Sequence, residues 1–265
     1  MNSSLRIHSD LHVLAHHAPV PGRGFLPILA FLLKGRQPVL VDTGAERFKD
    51  EFLKNLETLI DPRDLAWIVL THPDADHAGA LEELLDRAPN ARLVVNWIST
   101  GKLTAEMEPP MGRLTWINPG ESLAAGDRVL HFLRAPMYDC PSTVSVFDSK
   151  SRALFTSDAF GAFVAGPAGR FSELDESAAL EGMSQFCRAN SPWLADTRPD
   201  RYESALKTHA DLEPAWLLSA HLPPVEAANV GRVISRAASF PAEGRVAMPT
   251  QQALESALAG AARAA

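Results

Sequence analysis

Four side chains able to bind a metal ion fall within six residues: His72, Asp74, Asp76 and His77, in the stretch Thr71-His72-Pro73-Asp74-Ala75-Asp76-His77-Ala78-Gly79. Imidazole nitrogens and carboxylate oxygens are the donors that zinc, iron and manganese accept. A helix would scatter the four around its circumference, whereas a tight loop at a strand end can turn them toward one point. Pro73 favours such a loop, and Gly79 lets the following helix approach closely. Asp139, Asp158 and His221 occur at the same kind of place, each after a stretch that reads as a strand. In α/β folds, residues after successive strands converge on one edge of the sheet.

Asp74, Asp76, Asp139 and Asp158 would bring four negative charges into one pocket. Left bare, they repel one another and must take up protons. Two divalent cations cancel them, and His72, His77 and His221 supply neutral nitrogens. Seven ligands, one of them bridging, suit a dinuclear site. Alone, Asp158 would read as a turn or cap aspartate and His221 as an ordinary histidine. Asp139 reads equally well as a ligand or a loop residue. His8, His12, His16 and His17 form a second histidine-rich stretch and read as strand and loop residues, while His131 and His209 read as structural. Asp42 is expected to accept hydrogen bonds from loop amides beneath the site. Cys140 reads as a buried thiol placed to support its neighbour Asp139.

Strands must end where these residues stand. Phe25–Leu33 is apolar and β-compatible, Lys34–Pro38 reads as a turn, and Val39–Val41 as a returning strand that ends in Asp42-Thr43-Gly44. Phe48, Phe52, Leu56, Leu59 and Ile60 share a helical face and predict a helix from about Arg47 to Ile60, stopped by Asp61-Pro62. Ala66–Leu70 is wholly apolar, as in a strand buried on both faces, and leads directly to His72. A helix through Leu81, Leu84 and Leu85 follows, then a strand over Leu93–Asn96 and a short helix over Ser99–Met107. Strands then dominate: Thr115–Ile117, Val129–Leu133, Thr143–Phe147 and Ala153–Phe155, the last pair joined by a turn at Asp148–Ser151. Glu176–Ala189 and Asp200–Ala210 read as helices, Trp216–Leu218 as a final strand, and Thr250–Ala262 as an alanine-rich helix within the tail 240–265. The Gly- and Pro-rich stretch Phe160–Ser172 is expected to form a mobile flap over the site.

With 265 residues, 46 % apolar and 22 % charged, the chain is expected to fold as a single unit over 1–265. Lys+Arg 25 against Asp+Glu 32, with no dense basic run, argues against a general nucleic-acid partner. Two cysteines, Cys140 and Cys187, make no disulfide framework and are expected to be reduced thiols. The longest apolar run, Ile28–Leu33, is too short to span a bilayer, and the first residues lack the apolar stretch of a signal peptide. A cytoplasmic location without a membrane partner is the expectation.

Together these residues resemble the metallo-β-lactamase superfamily. Its motif His-x-His-x-Asp-His is followed by a distant His, a bridging Asp and a last His. The resemblance spans nearly the whole chain, from Asp42-Thr43-Gly44 through His72–His77 and Asp158 to His221, and implies a four-layer αββα sandwich. Within the superfamily the sequence is most similar to the flavodiiron proteins and their flavin-free relatives, the oxygen-binding diiron proteins. These carry a carboxylate at the second motif histidine, here Asp74. Ala135-Pro136-Met137 and Ser157-Asp158-Ala159-Phe160-Gly161 are similar to the same branch. Two departures stand out: Asp139 occupies the place of the third-ligand histidine, and the chain ends before a flavodoxin domain. The resemblance implies two metal ions, iron first with manganese or zinc as alternatives, and no flavin site in this chain. Site one would be His72, Asp74, Asp139 and the bridging Asp158; site two would be Asp76, His77, His221 and the same Asp158. Hard oxygen ligands suit iron or manganese. Family habit adds a homodimer.

The expected function is a dinuclear non-haem protein that binds, senses or reduces dioxygen or nitric oxide, supplied by an external electron donor. Met137, Phe160 and Phe163 would line an apolar pocket for the gas. The alternative is a metal-dependent hydrolase of an ester, thioester or phosphoester, because paired metals lower the pKa of bound water. A sensor whose oxidation state is read by a partner is the third reading. Dioxygen uptake with a supplied reductant, cleavage of a generic ester, and a bound-oxygen spectrum without turnover distinguish the three.

Overall fold

Short apolar strands separated by helices or tight turns give the chain its layers. The computed structural model describes residues 3–264, and among them the strands form two sheets. The first sheet runs in order β1 (Ser3–Arg6), β2 (Leu11–Val20), β3 (Gly24–Leu33), β4 (Val39–Val41), β5 (Trp67–Val69), β6 (Arg92–Val95), β7 (Leu114–Trp116). The second contains β8 (Ser122–Ala125), β9 (Arg128–Arg134), β10 (Val144–Asp148), β11 (Ala153–Ser157), β12 (Trp216–Ser219) and β13 (Val225–Glu226), in reverse spatial order. Helices α1 (Lys49–Leu59), α2 (Leu81–Arg87) and α3 (Trp97–Leu103) link the parallel strands β4 to β7. Helices α4 (Glu176–Asn190), α5 (Pro199–Ala210) and α6 (Ala227–Ala237) cover the second sheet, followed by α7 (Phe240–Glu243) and the tail helix α8 (Gln251–Ala264).

Three cores account for four layers. Period-2 alternation points Val13, Leu29, Phe31, Val41, Val69 and Val94 of the first sheet at Phe132, Val146, Phe155 and Leu218 of the second. The opposite face of the first sheet, with Leu14, Leu32, Leu40, Ile68 and Leu93, packs on Phe52, Leu56, Leu81 and Leu84 of its helices. The outer face of the second sheet packs on Met183, Phe186, Leu206, Val233 and Ile234. Central strands are therefore buried on both faces, which is why they read as continuous apolar runs. The αββα sandwich expected from the sequence is the fold observed.

This topology brings the carboxyl ends of β4, β5, β11 and β12 to one edge. The sheets are joined there through backbone, Val144 N donating to Thr71 O at 3.0 Å and Leu29 N to Ala220 O at 2.9 Å. At the far end of the strands, fully buried Arg128 donates to Asp148 at 2.8 Å and also reaches Asp10. That network ties the two sheets away from the site and leaves the opposite edge free for chemistry.

The structure departs from expectation in four places. Helix α6 is not anticipated, although Val230, Val233, Ile234 and Ala237 carry its apolar spacing. Strand pairing begins earlier, with β1 and β2, and β8 adds an edge to the second sheet. The tail 240–265 is not one helix: Gly244, with φ 72°, follows α7, and the stretch 244–250 separates it from α8. Finally, Phe160–Val164 is a packed wall and not a free flap. Gly161 N donates to Asp158 O, Ala162 N to His221 O, and Val164 pairs with Phe25.

Gly79 is where the ligand loop meets the chain after β4. A Cβ there would lie 2.0 Å from Glu46 N and 2.4 Å from Ala45 C, both backbone atoms that cannot swing aside. Gly79→Ala is expected to lose about 2–3 kcal/mol of stability in denaturant melts. Gly101→Ala, whose Cβ meets nothing within 4 Å on helix α3, serves as the contrast and is expected to be neutral or to gain up to about 1 kcal/mol.

Candidate metal centre

All seven residues proposed from the sequence meet at this edge. They form overlapping groups: His72 with Asp74 and Asp139, Asp76 with His77 and His221, and His72 with His77 and Asp158. His72, Asp74, Asp76 and His77 sit in the loop after β5, Asp139 after β9, Asp158 after β11, and His221 after β12. The three histidines and Asp158 are buried, whereas Asp74, Asp76 and Asp139 line the exposed side.

Asp158 divides the site. Its Oδ2 lies 3.8 Å from His72 Nε2, which is also 3.8 Å from Asp74 Oδ2 and 4.0 Å from Asp139 Oδ1. Its Oδ1 lies 2.8 Å from His77 Nε2 and 3.3 Å from His221 Nε2, and Asp76 Oδ2 is 3.4 Å from the latter. Donors held at roughly 2.1 Å from one ion stand roughly 3–3.5 Å apart at adjacent positions, a spacing that the group around His221 meets and that the wider group around His72 exceeds by a few tenths of an ångström.

The surroundings fix which nitrogen faces the pocket. His77 Nδ1 donates to Asp42 Oδ2 at 2.9 Å, and His221 Nδ1 donates to Pro27 O at 2.7 Å. His72 Nδ1 shares a 2.9 Å hydrogen bond with Ser157 Oγ. Each ring thereby turns Nε2 inward, the usual arrangement for a metal-bound imidazole. Asp42 also accepts from Thr71 N and Thr71 Oγ1, both at 2.8 Å, so it braces the ligand loop as the sequence suggests and orients His77 besides.

Three inward atoms, His72 Nε2, His77 Nε2 and Asp158 Oδ1, are buried without a hydrogen-bond partner of acceptable geometry. Buried polar atoms are nearly always satisfied, and three that converge on one point mark a place for an ion. Electrostatics agree. Burial opposes charge on His77, but the Asp42 and Asp158 carboxylates outweigh it and raise the ring well above its ordinary range. Burial likewise opposes ionisation of Asp158, yet His77 and His221 hold it well below the usual carboxylate range. Burial, reinforced by Asp158 and Asp74, pushes Asp139 up to about 6. Burial and the neighbouring His77 lower His72 to about 4. Positive charge is thus favoured on His77 and disfavoured on His72, acids gather around both, and the donor set fits a dinuclear centre.

Other residues at the site carry no recognisable sequence signal. Asn190, at the end of α4, donates to Asp158 Oδ2 at 2.9 Å. Lys102 donates to Asp74 Oδ1 at 3.0 Å and to Cys140 Sγ at 3.2 Å. Cys140 and Cys187 are buried free thiols. Among the expected apolar pocket residues, Phe160 and Met137 lie within the core, Met137 Sδ accepting from Tyr202 Oη at 3.8 Å. The ring that touches the site is Phe186, its centroid 5.2 Å from that of His221, with Phe163 edge-on behind it at 5.5 Å.

Residues 29–193 match the family described as ODP family beta lactamase. The chain is similar to the anaerobic nitric oxide reductase flavorubredoxin of Pectobacterium atrosepticum, 31% identical over 133 residues, which is 50% of this chain and 26% of that protein. Its fold is similar to rubredoxin oxygen:oxidoreductase from Desulfovibrio gigas, with TM-score 0.80 and 18% identity over 91% of this chain and 62% of that one. It is also similar to the flavodiiron protein from Giardia intestinalis, with TM-score 0.78 and 19% identity over 90% of this chain and 59% of that one. The matches span only 23% to 26% of the length of the first curated relatives.

Asp158→Ala is expected to abolish retention of both ions, and Asp139→Ala to weaken one and leave the other. Metal analysis after gel filtration reads both outcomes, and two ions per chain in the Asp158 variant would refute the bridge. Asp42→Asn should weaken binding about 10–100-fold without removing a ligand, read by competition with a chromophoric chelator.

Proposed function

Because the chain belongs to the ODP beta-lactamase family, we propose that it holds a dinuclear non-haem iron centre that binds, senses or reduces dioxygen or nitric oxide. The observation that carries this reading is the division of Asp158, one oxygen toward each group of donors. His72, Asp74 and Asp139 would hold one ion, and Asp76, His77 and His221 the other. Four carboxylates among seven ligands give a hard, anionic set that suits iron or manganese. Two ferrous ions held in this way would supply reducing equivalents for a diatomic ligand.

The protein's own residues would then do three things. Asp42, Ser157 and Pro27 O keep the imidazoles aimed inward. Phe186 and the Phe160–Val164 wall exclude water from the buried side around His221. Asp74, Asp76 and Asp139 leave the opposite side open, so a small ligand enters past the carboxylates. Electrons come from an external donor, and similarity to relatives named for oxygen and nitric oxide chemistry supports this class of reaction.

The test is anaerobic loading with ferrous iron followed by mixing with dioxygen or nitric oxide in the presence of a chemical reductant. Oxygen or nitric oxide consumption, or a stable new absorption band on binding, is expected at two irons per chain. Inertness to both gases, together with metal-dependent cleavage of a thioester or phosphodiester, would replace this reading with the hydrolase.

A further inference from the structure

Lys102 stands where two acidic loops meet. It comes from helix α3, whose N-terminus is fixed by Asn96. The Asn96 side chain accepts from Ser99 N at 3.0 Å and donates to Ser142 O at 2.7 Å. Ser142 Oγ in turn lies 2.9 Å from Cys140 Sγ, and Cys140 is buried directly beside Asp139. From this anchored helix the Lys102 ammonium donates to both Cys140 Sγ and Asp74 Oδ1. Asp74 therefore has its Oδ1 held from outside and its Oδ2 turned toward His72 Nε2, 3.8 Å away.

We propose that Lys102 is the positioning residue for the first metal group: it fastens the Asp74 loop to the Asp139–Cys140 loop and fixes which oxygen of Asp74 faces the ion. The proposal rests on the dinuclear reading above. It follows from a contrast between the two groups. His77 and His221 are buried and braced by Asp42 and the backbone of β3. Asp74 and Asp139 stand on the open side, and among the described residues Lys102 is the cation that holds Asp74, reaching through Cys140 Sγ to the loop that carries Asp139. A lysine has three donors on a compact charge, enough to serve two acceptors at once. Because the Lys102–Asp74 pair is 46% and 36% exposed, its hold is sensitive to salt.

The experiment titrates metal-stripped full-length protein anaerobically with ferrous iron and counts ions retained per chain. Wild type is expected to bind two. Lys102→Gln should bind one with wild-type affinity and the other about 10–100-fold more weakly. Lys102→Arg should recover most of that loss, because a guanidinium also presents several donors. Cys140→Ala should show a smaller loss in the same group. The gap between wild type and Lys102→Gln should narrow as salt rises, while metal-free melting temperatures stay equal. Two ions bound by Lys102→Gln with unchanged or tighter affinity would overturn the proposal, as would parallel loss of both ions with a lowered melting temperature. A wild-type chain unable to hold two ions would overturn the dinuclear reading and this inference together, which separates the two failures.

Discussion

Crowding of carboxylates is the constraint on which the rest of this structure depends. Asp74, Asp76, Asp139 and Asp158 are brought to one edge by three different loops, and Asp158 is buried. Such a group is tolerable only with compensating positive charge, from protons or from cations. The protein prepares for cations. Its three histidines expend Nδ1 on Asp42, Ser157 and Pro27 O, so that only Nε2 faces inward. Proton storage would need no such agreement among three rings.

Positioning is obtained at a conformational cost. Asp42, Ser157 and Phe160 adopt φ of 60°, 56° and 66°, a region that side chains other than glycine rarely occupy. Each left-handed residue costs on the order of 1–3 kcal/mol, and the packed cores on either side must over-determine it. Each also has an identifiable result. The turn at Asp42 sends its carboxylate to Thr71 and His77. The turn at Ser157 ends β11 and delivers Asp158 while its own hydroxyl reaches His72. The turn at Phe160 starts the wall that continues to His221 through the Ala162 N to His221 O bond.

Much of this was legible before any coordinates. Strands buried on both faces declare themselves as apolar runs, and a cluster such as His72–His77 after one of them has few structural uses. The candidate ligands far apart in sequence, Asp139, Asp158 and His221, are legible through their common position after strands. What stayed hidden was contact chemistry. Asn190 lies at the end of an ordinary amphipathic helix, and Lys102 on a short one; nothing in their local sequence says which loop they face. The Phe160–Val164 part of the expected flap is packed for a related reason. Glycine and proline mark a break in regular structure, but Gly161 is there because Phe186 and His221 leave no room for a Cβ, at 2.5 and 2.8 Å. Helix α6 carries a clear apolar spacing in Val230, Val233, Ile234 and Ala237, interrupted only by Gly231.

The two halves of the proposed centre differ in a way that bears on its chemistry. One is built from His77 and His221, both buried, with Asp76 at its rim; the other keeps a single histidine, His72, beside two half-exposed acids. Asp139 in place of a histidine makes the second half still more anionic. Oxygen-rich ligation favours the higher charge on an ion, so in the proposed centre an ion in the open half would be the one easier to oxidise. The Lys102 ammonium offsets part of that negative charge at Asp74, and the Asn190 amide donates to Asp158. The asymmetry gives the two donor groups different characters: the group on the open side is mostly carboxylate, and the group behind it is buried and rich in nitrogen.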